Sequence, residues 1–562
     1  GPKTNFANSI LISGDAGTGT LNAAENNTGV GVGVFGALTT GDKNTAVGLS
    51  ALLANTTGHS NTAVGCGALV TNTTGHSNIS LGVNSLKLNQ TGYSNIAIGK
   101  DALQSNTTGF NNVATGQSAL AANTEGEENV AVGFTALDAN TEGNSNVAVG
   151  SSALGANTTG GNNAAVGTAA LAANTTAANN TAFGHDSMKT NTTGASNTTV
   201  GQASLYANTT GLKNVATGRN VLTANTTGCC NTAMGFEALK TNTTANDNVA
   251  VGNVALKMNT TGANNTSLGA YSLQANTTGA SNVAVGQNAG DAMTTGSHNV
   301  IVGAEAFDTN TTGSYNVAIG KLALTANTTA ASNTTVGRKS MFGNTTGANN
   351  TATGAEALSA NTTGASNTAI GRYALVGNTT GEGNIGIGNY GGETNTTGSK
   401  NIFIGFATKG SAVNLGCQIV IGMANGATTG KGANTGFITP NGGAMYQGNN
   451  ATAWTQTSDR RIKKNIVDNN TGLDKINQIQ VRNFEYRTLD EITDFGEHKE
   501  SAVVEKEGVQ LGAIAQEIET ILPDVVITES TGVKSVDASN LTWYLINAVK
   551  ELSAKVKELE KK

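Results

Sequence analysis

Residues able to do metal or covalent chemistry are few in this chain of 562, which holds four cysteines and five histidines. Cys66, Cys229, Cys230 and Cys417 have none of the paired spacings that hold zinc, and the adjacent pair Cys229–Cys230 is unsuited to an ordinary structural disulfide. They read as incidental. His59, His76, His185, His298 and His498 are scattered, but His59 and His76 lie 17 residues apart. Either a paired histidine metal site or plain exposed substitution fits those two. Glu125, Glu127 and Glu128 form the densest acidic cluster before the C-terminal region. A glycosidase needs two carboxylates set across a groove, and one corner of the chain cannot supply both. The many Asn-x-Thr sequons would be glycan acceptors only in a eukaryotic secretory setting. Neither a metal site nor a cofactor is expected.

The composition limits what can position these residues. Length alone suggests roughly three to five domains, yet glycine supplies 74 residues, proline 3, aromatics 4% and charged residues 12%. Large aliphatic and aromatic side chains are too sparse to fill several ordinary cores. Disorder does not fit either, because the net charge is only -6 and proline is scarce. No run of about 20 apolar residues exists to span a membrane. The weakly acidic balance lacks the basic stripe of a nucleic-acid binder, so no nucleic-acid partner is expected. Charge is also unevenly placed: residues 1–430 hold 15 Lys+Arg and 18 Asp+Glu, against 16 and 19 in residues 431–562. Two kinds of protein are joined here, with the boundary between 423 and 457.

Internal periodicity explains the first part. Stepping 17 residues from Gly14 lands on glycine every time to Gly422, 25 positions without an insertion or deletion. A second column holds asparagine at all 23 steps from Asn27 to Asn401. The unit is approximately G-x-x-A-L-x-A-N-T-T-G-x-x-N-T-A-V. Seventeen residues are too few for the helix pair of a helical solenoid, which needs about 33 to 47. The stretch before each glycine, as in Asn61-Thr62-Ala63-Val64-Gly65, alternates with period two. Thr, Val or Ile lies three before the glycine (Thr62, Ile79, Ile96, Val113, Val130), and Val, Ile or Leu one before it (Val64, Leu81, Ile98, Val132). Alanine usually lies between. That is a short strand pressed between two surfaces, and the fixed spacing makes each unit one coil of a parallel β-solenoid.

Stacking accounts for the rest of the pattern. Equivalent residues recur every ~4.8 Å up the axis, so a charge at a repeat position would face its own copy and is avoided. Asparagine at such a position forms an amide ladder instead. Glycine permits the positive φ of tight corners and asparagine tolerates it, so Asn55–Gly58 (Asn-Thr-Thr-Gly) reads as the corner. The leucine column (Leu52, Leu69, Leu103, Leu120) fills the core or a subunit contact. At ~4.8 Å per coil, 25 coils extend on the order of 120 Å. The alanine face suggests close approach of a second backbone, hence an oligomer.

Asn61–Gly65 and Ser145–Gly150 resemble the Asn/Ser-x-Ala-x-Gly repeats of trimeric autotransporter adhesin heads, left-handed parallel β-rolls that associate as trimers, although those heads repeat at a shorter period. The arrays are also similar to those of tail-fibre proteins of phages and phage-like particles. This resemblance covers residues 14–422 and implies a homotrimeric structure for attachment.

Beyond the glycine- and threonine-rich stretch 423–457 the sequence turns ordinary. A short helix starts at Gly472–Ile476, a strand at Val481–Arg487, and a second strand at Val509–Ile514 runs into a helix, Ala515–Leu522, stopped by Pro523. Val533–Val536 is a third strand. From Ser539 the chain is helical, with Leu541, Leu545, Ala548, Leu552, Val556 and Leu559 as a coiled-coil-like seam. Glu551, Lys555, Glu558 and Lys562 can pair along its outer face. Ser458–Ile466 (Ser-Asp-Arg-Arg-Ile-Lys-Lys-Asn-Ile), Gly512–Glu517 (Gly-Ala-Ile-Ala-Gln-Glu) and Val536-Asp537 resemble the intramolecular chaperone domain at the C-terminus of endosialidases and other phage tail spikes and fibres. The resemblance covers 458–562. It implies a domain that trimerises, guides folding of the β-structure before it, and is often released by self-cleavage. In that family a serine that begins the domain and a lysine five residues later do the cleaving, positions matched by Ser458 and Lys463. A serine hydroxyl needs a base to take its proton, and a desolvated lysine can serve. An exposed Ser-Asp cap with a basic strip is the alternative reading of the same residues.

The expected protein is mainly β: a homotrimeric 17-residue-repeat β-solenoid, or β-roll, followed by a small α+β chaperone domain ending in a coiled-coil helix. Its parts are a lead-in, 1–13, whose Gly1-Pro2 looks like a tag-cleavage scar; the solenoid, 14–422; a neck, 423–457; and the chaperone domain, 458–562. Expected partners are two further copies of the chain, a cell-surface receptor (glycan or outer-membrane component), and a tail or baseplate protein reached through a part before Gly1. The expected place is the tail of a virion or phage-like particle, with a bacterial surface adhesin as alternative. A polysaccharide-degrading spike is disfavoured by the shortage of acidic residues, and an ice-binding solenoid by adjacent threonines pointing to different faces.

Overall fold

The computed structural model describes residues 8–13, 23–422, 428–439, 445–447, 460, 463–493, 504, 506–528 and 533–562. Two compact units divide the chain, 1–457 and 458–562.

The first unit is a parallel β-solenoid. Every 17-residue coil contributes one three-residue strand, from β2 (Thr28–Val30) onward, and β25 (Ile419–Gly422) gains a fourth residue. Each strand pairs in parallel with its own equivalents, as in Thr45↔Thr62, Ala46↔Ala63 and Val47↔Val64. The register breaks only at the ends. β1 (Ile10–Ile12) pairs with β2 at an offset of 18, Ile10 against Thr28. At the other end the 17-residue parallel register runs one coil past Gly422 into β26 (Gly436–Thr439). There β27 (Met445–Gln447) pairs antiparallel with β26 and ends the parallel run.

The middle residue of each strand points inward. The alanine column (Ala46, Ala63, Ala97 and onward) and the leucine column (Leu52, Leu69, Leu86 and onward) are fully buried in one continuous core. The expectation that alanine marks the approach of a second chain is therefore corrected: the alanine methyl faces the leucine wall of its own chain. A 17-residue coil is so narrow that leucine fills the lumen and leaves room opposite for little more than a methyl. Departures from the pattern compensate one another in volume. Phe35 stands in the leucine column opposite Gly29, where an added Cβ would lie 2.9 Å from the ring. Gly290 and Gly392 empty the leucine column, and Ile301 and Phe403, in the alanine column of the following coil, reach into the space.

Backbone geometry explains the glycine column. At Gly65 φ is +143° and a Cβ would lie 2.2 Å from the Gly82 carbonyl oxygen; Gly48 repeats this at +133° and 2.5 Å. Both the angle and the space admit glycine alone. The Asn-Thr-Thr-Gly corner behaves differently from expectation. Neither Asn55 nor Gly58 is among the positive-φ residues; the left-handed positions are Ser50, Leu52 and Ser60, at 59°, 51° and 58°. A Cβ built at Gly58 would lie 2.4 Å from both Asn55 Oδ1 and the Gly75 oxygen, yet Ala177, Ala245 and Ala330 occupy the same column, so small shifts make room for a methyl there.

Two asparagine ladders line the corner. Asn61 donates from its backbone N–H (3.0 Å) and Nδ2 (3.1 Å) to Asn44 Oδ1, and its own Oδ1 accepts the same pair from Asn78. In the second ladder Asn72 Nδ2 donates to Asn55 Oδ1 at 2.7 Å. The ladders meet at the Gly75 oxygen, which accepts from Asn61 Nδ2 at 2.9 Å and Asn72 Nδ2 at 3.0 Å. Buried amides are thus satisfied coil by coil. Where Met293 replaces an asparagine of the second ladder, Asn276 Oδ1 is left buried without a partner. Gln418 extends the first ladder, its N–H donating to Asn401 Oδ1 at 2.9 Å.

The second unit is a small α+β domain: α1 (Leu473–Gln478), β28 (Arg482–Phe484), β29 (Gln510–Gly512), α2 (Ala515–Ile521), β30 (Val526–Thr528), β31 (Lys534–Val536) and α3 (Ala538–Leu559), with 3-10 turns at Leu489–Glu491 and Pro523–Val525. Strand β30 was not foreseen from sequence; it pairs antiparallel with β31. Ile518, Leu522, Val525 and Tyr544 form the core, with Ile476, Ala513, Val536 and Leu541 packed around it.

Candidate functional site

The sequence singles out the start of the terminal domain. Ser458 and the Thr457–Ser458 bond lie outside the described residues. Lys463 is exposed, and its backbone N–H donates to the Arg460 oxygen at 3.2 Å.

The other quoted motifs build the domain. A Cβ on Gly512 would lie 2.9 Å from Phe484 Cε1, so glycine lets β29 pass the ring. Glu517 accepts from Arg482 Nη2 at 2.9 Å and Nε at 3.3 Å, tying α2 to β28. Asp537 caps α3, its Oδ1 accepting from the N–H groups of Ser539 (2.9 Å) and Asn540 (3.2 Å), while its own N–H donates to the Val525 oxygen at 2.8 Å. Such a cap is worth about 1 kcal/mol. Contacts that the sequence reading did not foresee fix α1 against α3. A Cβ on Gly472 would lie 2.3 Å from the Ala548 nitrogen. Asn547 Nδ2 donates to the Asn469 oxygen at 2.7 Å, and Leu473 N–H donates to Glu551 Oε2 at 3.2 Å. Glu551 is thus committed to the start of α1.

Helix α3 has one broad apolar face, and the domain's own core uses part of it. Leu541, Tyr544 and Ala548 belong to the domain's own core. Leu545, Val549, Leu552, Val556 and Leu559 follow in steps of four and three, adjoining those residues on the helix surface, and are 44–70% exposed.

In the solenoid the histidines stack rather than converge. His59 and His76 lie ring on ring at 4.8 Å, and Tyr93 and Phe110 continue the pile. Among the described residues no group of three or more His, Cys, Asp or Glu could hold a metal ion. All four cysteines are free. Glu128 Oε2 accepts from Ser145 at 3.3 Å, and the acidic cluster lies along one corner. The first threonine of each pair is spent on its neighbour, as Thr56 Oγ1 donates to the Thr73 oxygen at 3.0 Å. The second threonine of each pair, as at Thr57, is left exposed.

Fold and site define a parallel β-solenoid carrying a small α+β domain at its C-terminal end. That domain is of the endosialidase chaperone type: residues 458–527 match the family described as chaperone of endosialidase. No curated protein matches the chain in sequence. Among the described residues no helix is long and apolar enough to cross a membrane. A repetitive shaft joined to such a domain fits a general attachment role of the tail-fibre or adhesin type.

Proposed function

We propose that the protein is a homotrimeric attachment fibre of a phage tail or phage-like particle, whose terminal domain trimerises, aligns the repeats and then cuts itself free. The observation that supports this is the joining of a uniform 17-residue solenoid to an endosialidase-type chaperone domain at 458–527. Coils so alike can pair one unit out of register with little penalty, so a folded end must set the alignment. The exposed seam of α3 fits a coiled coil, with leucine at 545, 552 and 559 and valine at 549 and 556. On coiled-coil rules that pattern alone favours two strands, so the count of three rests on the chaperone resemblance. Light scattering near three times 56.3 kDa supports the trimer; a stable monomer or dimer overturns it. Deleting 458–562 should give aggregated or misregistered repeats, and soluble full-size oligomers from that truncation would remove the guiding role.

In the cleavage step Lys463 takes the Ser458 hydroxyl proton and the oxygen attacks the Thr457 carbonyl. The acyl group moves from nitrogen to oxygen, and water hydrolyses the ester, leaving a carboxylate on Thr457 and an amine on Ser458. Ser458→Ala, Lys463→Ala and Lys463→Arg should each leave one band at full length, the last because guanidinium keeps its proton. Wild-type protein that stays intact on storage would reduce the motif to structure. Attachment itself is read by saturable binding of labelled full-length protein to intact bacterial cells; failure on every host surface tried rejects the fibre's receptor role.

A further inference from the structure

We infer that the outward face of the solenoid sheet is the surface through which copies of this chain pack on one another along their length. The inference rests on the homotrimer reading above and adds the surface to it. In the 24 strands β2 to β25, the first and third residues point outward, 48 positions in all. Thirty-four are Val, Ile, Leu, Met or Phe, thirteen are Thr and one is Ala; none is charged, amide-bearing, Ser or Gly. These side chains are left open in the single chain, with Val64 39%, Phe183 43%, Val200 44%, Met234 42% and Leu268 47% exposed.

The other exposed columns show that water-facing positions of this coil accept polar groups. The second corner threonine (Thr57, Thr74, Thr91, Thr108) gives way to Glu125 and Glu142. The flanking columns differ from the stripe: one is polar, and the other mixes polar and charged residues with exposed apolar ones such as Leu49, Phe134 and Phe406. On one side lie Ser60, Ser77, Asn111 and Glu128; on the other lie Arg219, Arg338 and Arg372, all the arginines between 23 and 422. An uncharged, largely apolar centre bordered by a polar column on one side and by arginines and aromatics on the other has the composition of a protein interface.

Period and area select the occupant. The stripe rises ~4.8 Å per coil, so 23 steps make a strip of about 110 Å, and two outward columns about 7 Å apart make it about 10 Å wide. Roughly 1,100 Å² per chain exceeds the ~800 Å² per partner of a standard stable interface. A partner that meets every coil must itself repeat at the same rise, and a second copy does so at no extra requirement. Short peptides or globular partners would cover a few coils and leave the rest in water.

The test uses the full chain with Cys66→Ser, Cys229→Ser, Cys230→Ser and Cys417→Ser as background. Val200→Cys and Val336→Cys place a thiol on the outward strand column with little change of volume. Thr210→Cys and Thr346→Cys place one on the exposed corner column. Facing sheets stand about 10 Å apart, within reach of a short bis-maleimide. Strand cysteines should crosslink most of the chain into dimers and trimers on denaturing gels, at least tenfold above the corner cysteines. An oligomer by light scattering whose strand cysteines take a monofunctional maleimide but do not crosslink overturns the surface while leaving the trimer standing. A monomer by light scattering overturns both.

Discussion

Phe403 and Gly392 offer a sharp check on how the solenoid core is filled. Phe403 occupies the alanine column and is fully buried; Gly392 occupies the leucine column one coil earlier. Phe403→Ala removes the ring that fills both places, a change that costs about 3–5 kcal/mol in a core that cannot collapse. Gly392→Leu alone puts a Cβ 2.5 Å from Phe403 Cδ2 and 2.7 Å from Leu375 Cδ2, an overpacking worth about 1–3 kcal/mol. Together the two changes restore the leucine-over-alanine arrangement of the neighbouring coils. The backbone accepts it, since φ is +72° at Gly392 and +49° at Leu375. The double variant should therefore lie within about 1 kcal/mol of wild type, a coupling beyond the ~0.5–3 kcal/mol of ordinary neighbours. A long stack does not unfold all at once, so the readout is hydrogen exchange of peptides spanning 385–405. Phe403→Ala should speed exchange there about 100- to 4,000-fold, taking 1.4 kcal/mol per tenfold, and Gly392→Leu should then slow it again. A double variant that exchanges as fast as Phe403→Ala would refute the shared-volume account.

Gly201→Ala, at φ +135° and with its Cβ 2.4 Å from the Gly218 oxygen, should cost about 3 kcal/mol or more. Gly194→Ala should cost about 1 kcal/mol or less, because Ala177, Ala245 and Ala330 already fill that corner column; similar melting temperatures for the two would reject the distinction. Burial first, and then the charge of Asp308 one coil away, hold the Asp291 carboxyl above the usual carboxylate range, and burial and Glu305 do the same to Asp308. Raised folded values mean stability present below the unfolded pKa and lost as pH rises through the folded one. Asp308→Asn should accordingly raise the melting temperature at pH 7 and leave it unchanged near pH 3. The hydrogen bond to Asp524, then burial, pushes the Tyr544 phenol up. By the same sign the terminal domain should lose stability as pH climbs past about 10, and Tyr544→Phe should flatten that alkaline loss in a thermal melt.

The strand, the coil period and the amide ladder were legible because stacking writes one requirement into the same column many times. Asn61 needs the residue before and after it in the ladder to be asparagine, and the sequence repeats that need at every coil. Which way each column faces was less legible. Alternation in Thr62-Ala63-Val64 separates two faces without saying which is inside, and small alanine fits a close chain contact as well as a narrow lumen. Only the leucine wall decides it, and Leu52 lies opposite through the fold of one coil, a relation that pattern within a strand does not contain. The left-handed leucines were invisible for a similar reason: propensity argues against a branched residue at φ +51°. In the terminal domain the long helix could be read from its spacing. Which part of its apolar face the domain buries could not, because Leu541 and Tyr544 meet the rest of the core through tertiary packing alone.

Those leucines bear on why a uniform solenoid would need a folded end. Each coil holds Ser50, Leu52 and Ser60 or their equivalents in the left-handed region, a cost of about 1–2 kcal/mol for each residue. Burying one leucine returns about 1.5–3 kcal/mol, which does not cover three such residues. The remainder comes from neighbours. Ser50 N–H donates to the Val32 oxygen below, Leu52 N–H to the Ala68 oxygen above, and Ser60 N–H to the Asp42 oxygen below. A coil without coils on either side is therefore unfavourable, and a coil added to an existing stack is favourable. Growth of this kind has a costly first step and cheap later ones, and nothing in the repeat distinguishes one register from the next. A domain with its own core, Ile518, Leu522, Val525 and Tyr544, can fold without that step. On the proposed reading the two units divide the labour that the repeat chemistry imposes: the terminal domain would supply a start and a register, and the repeats would extend them.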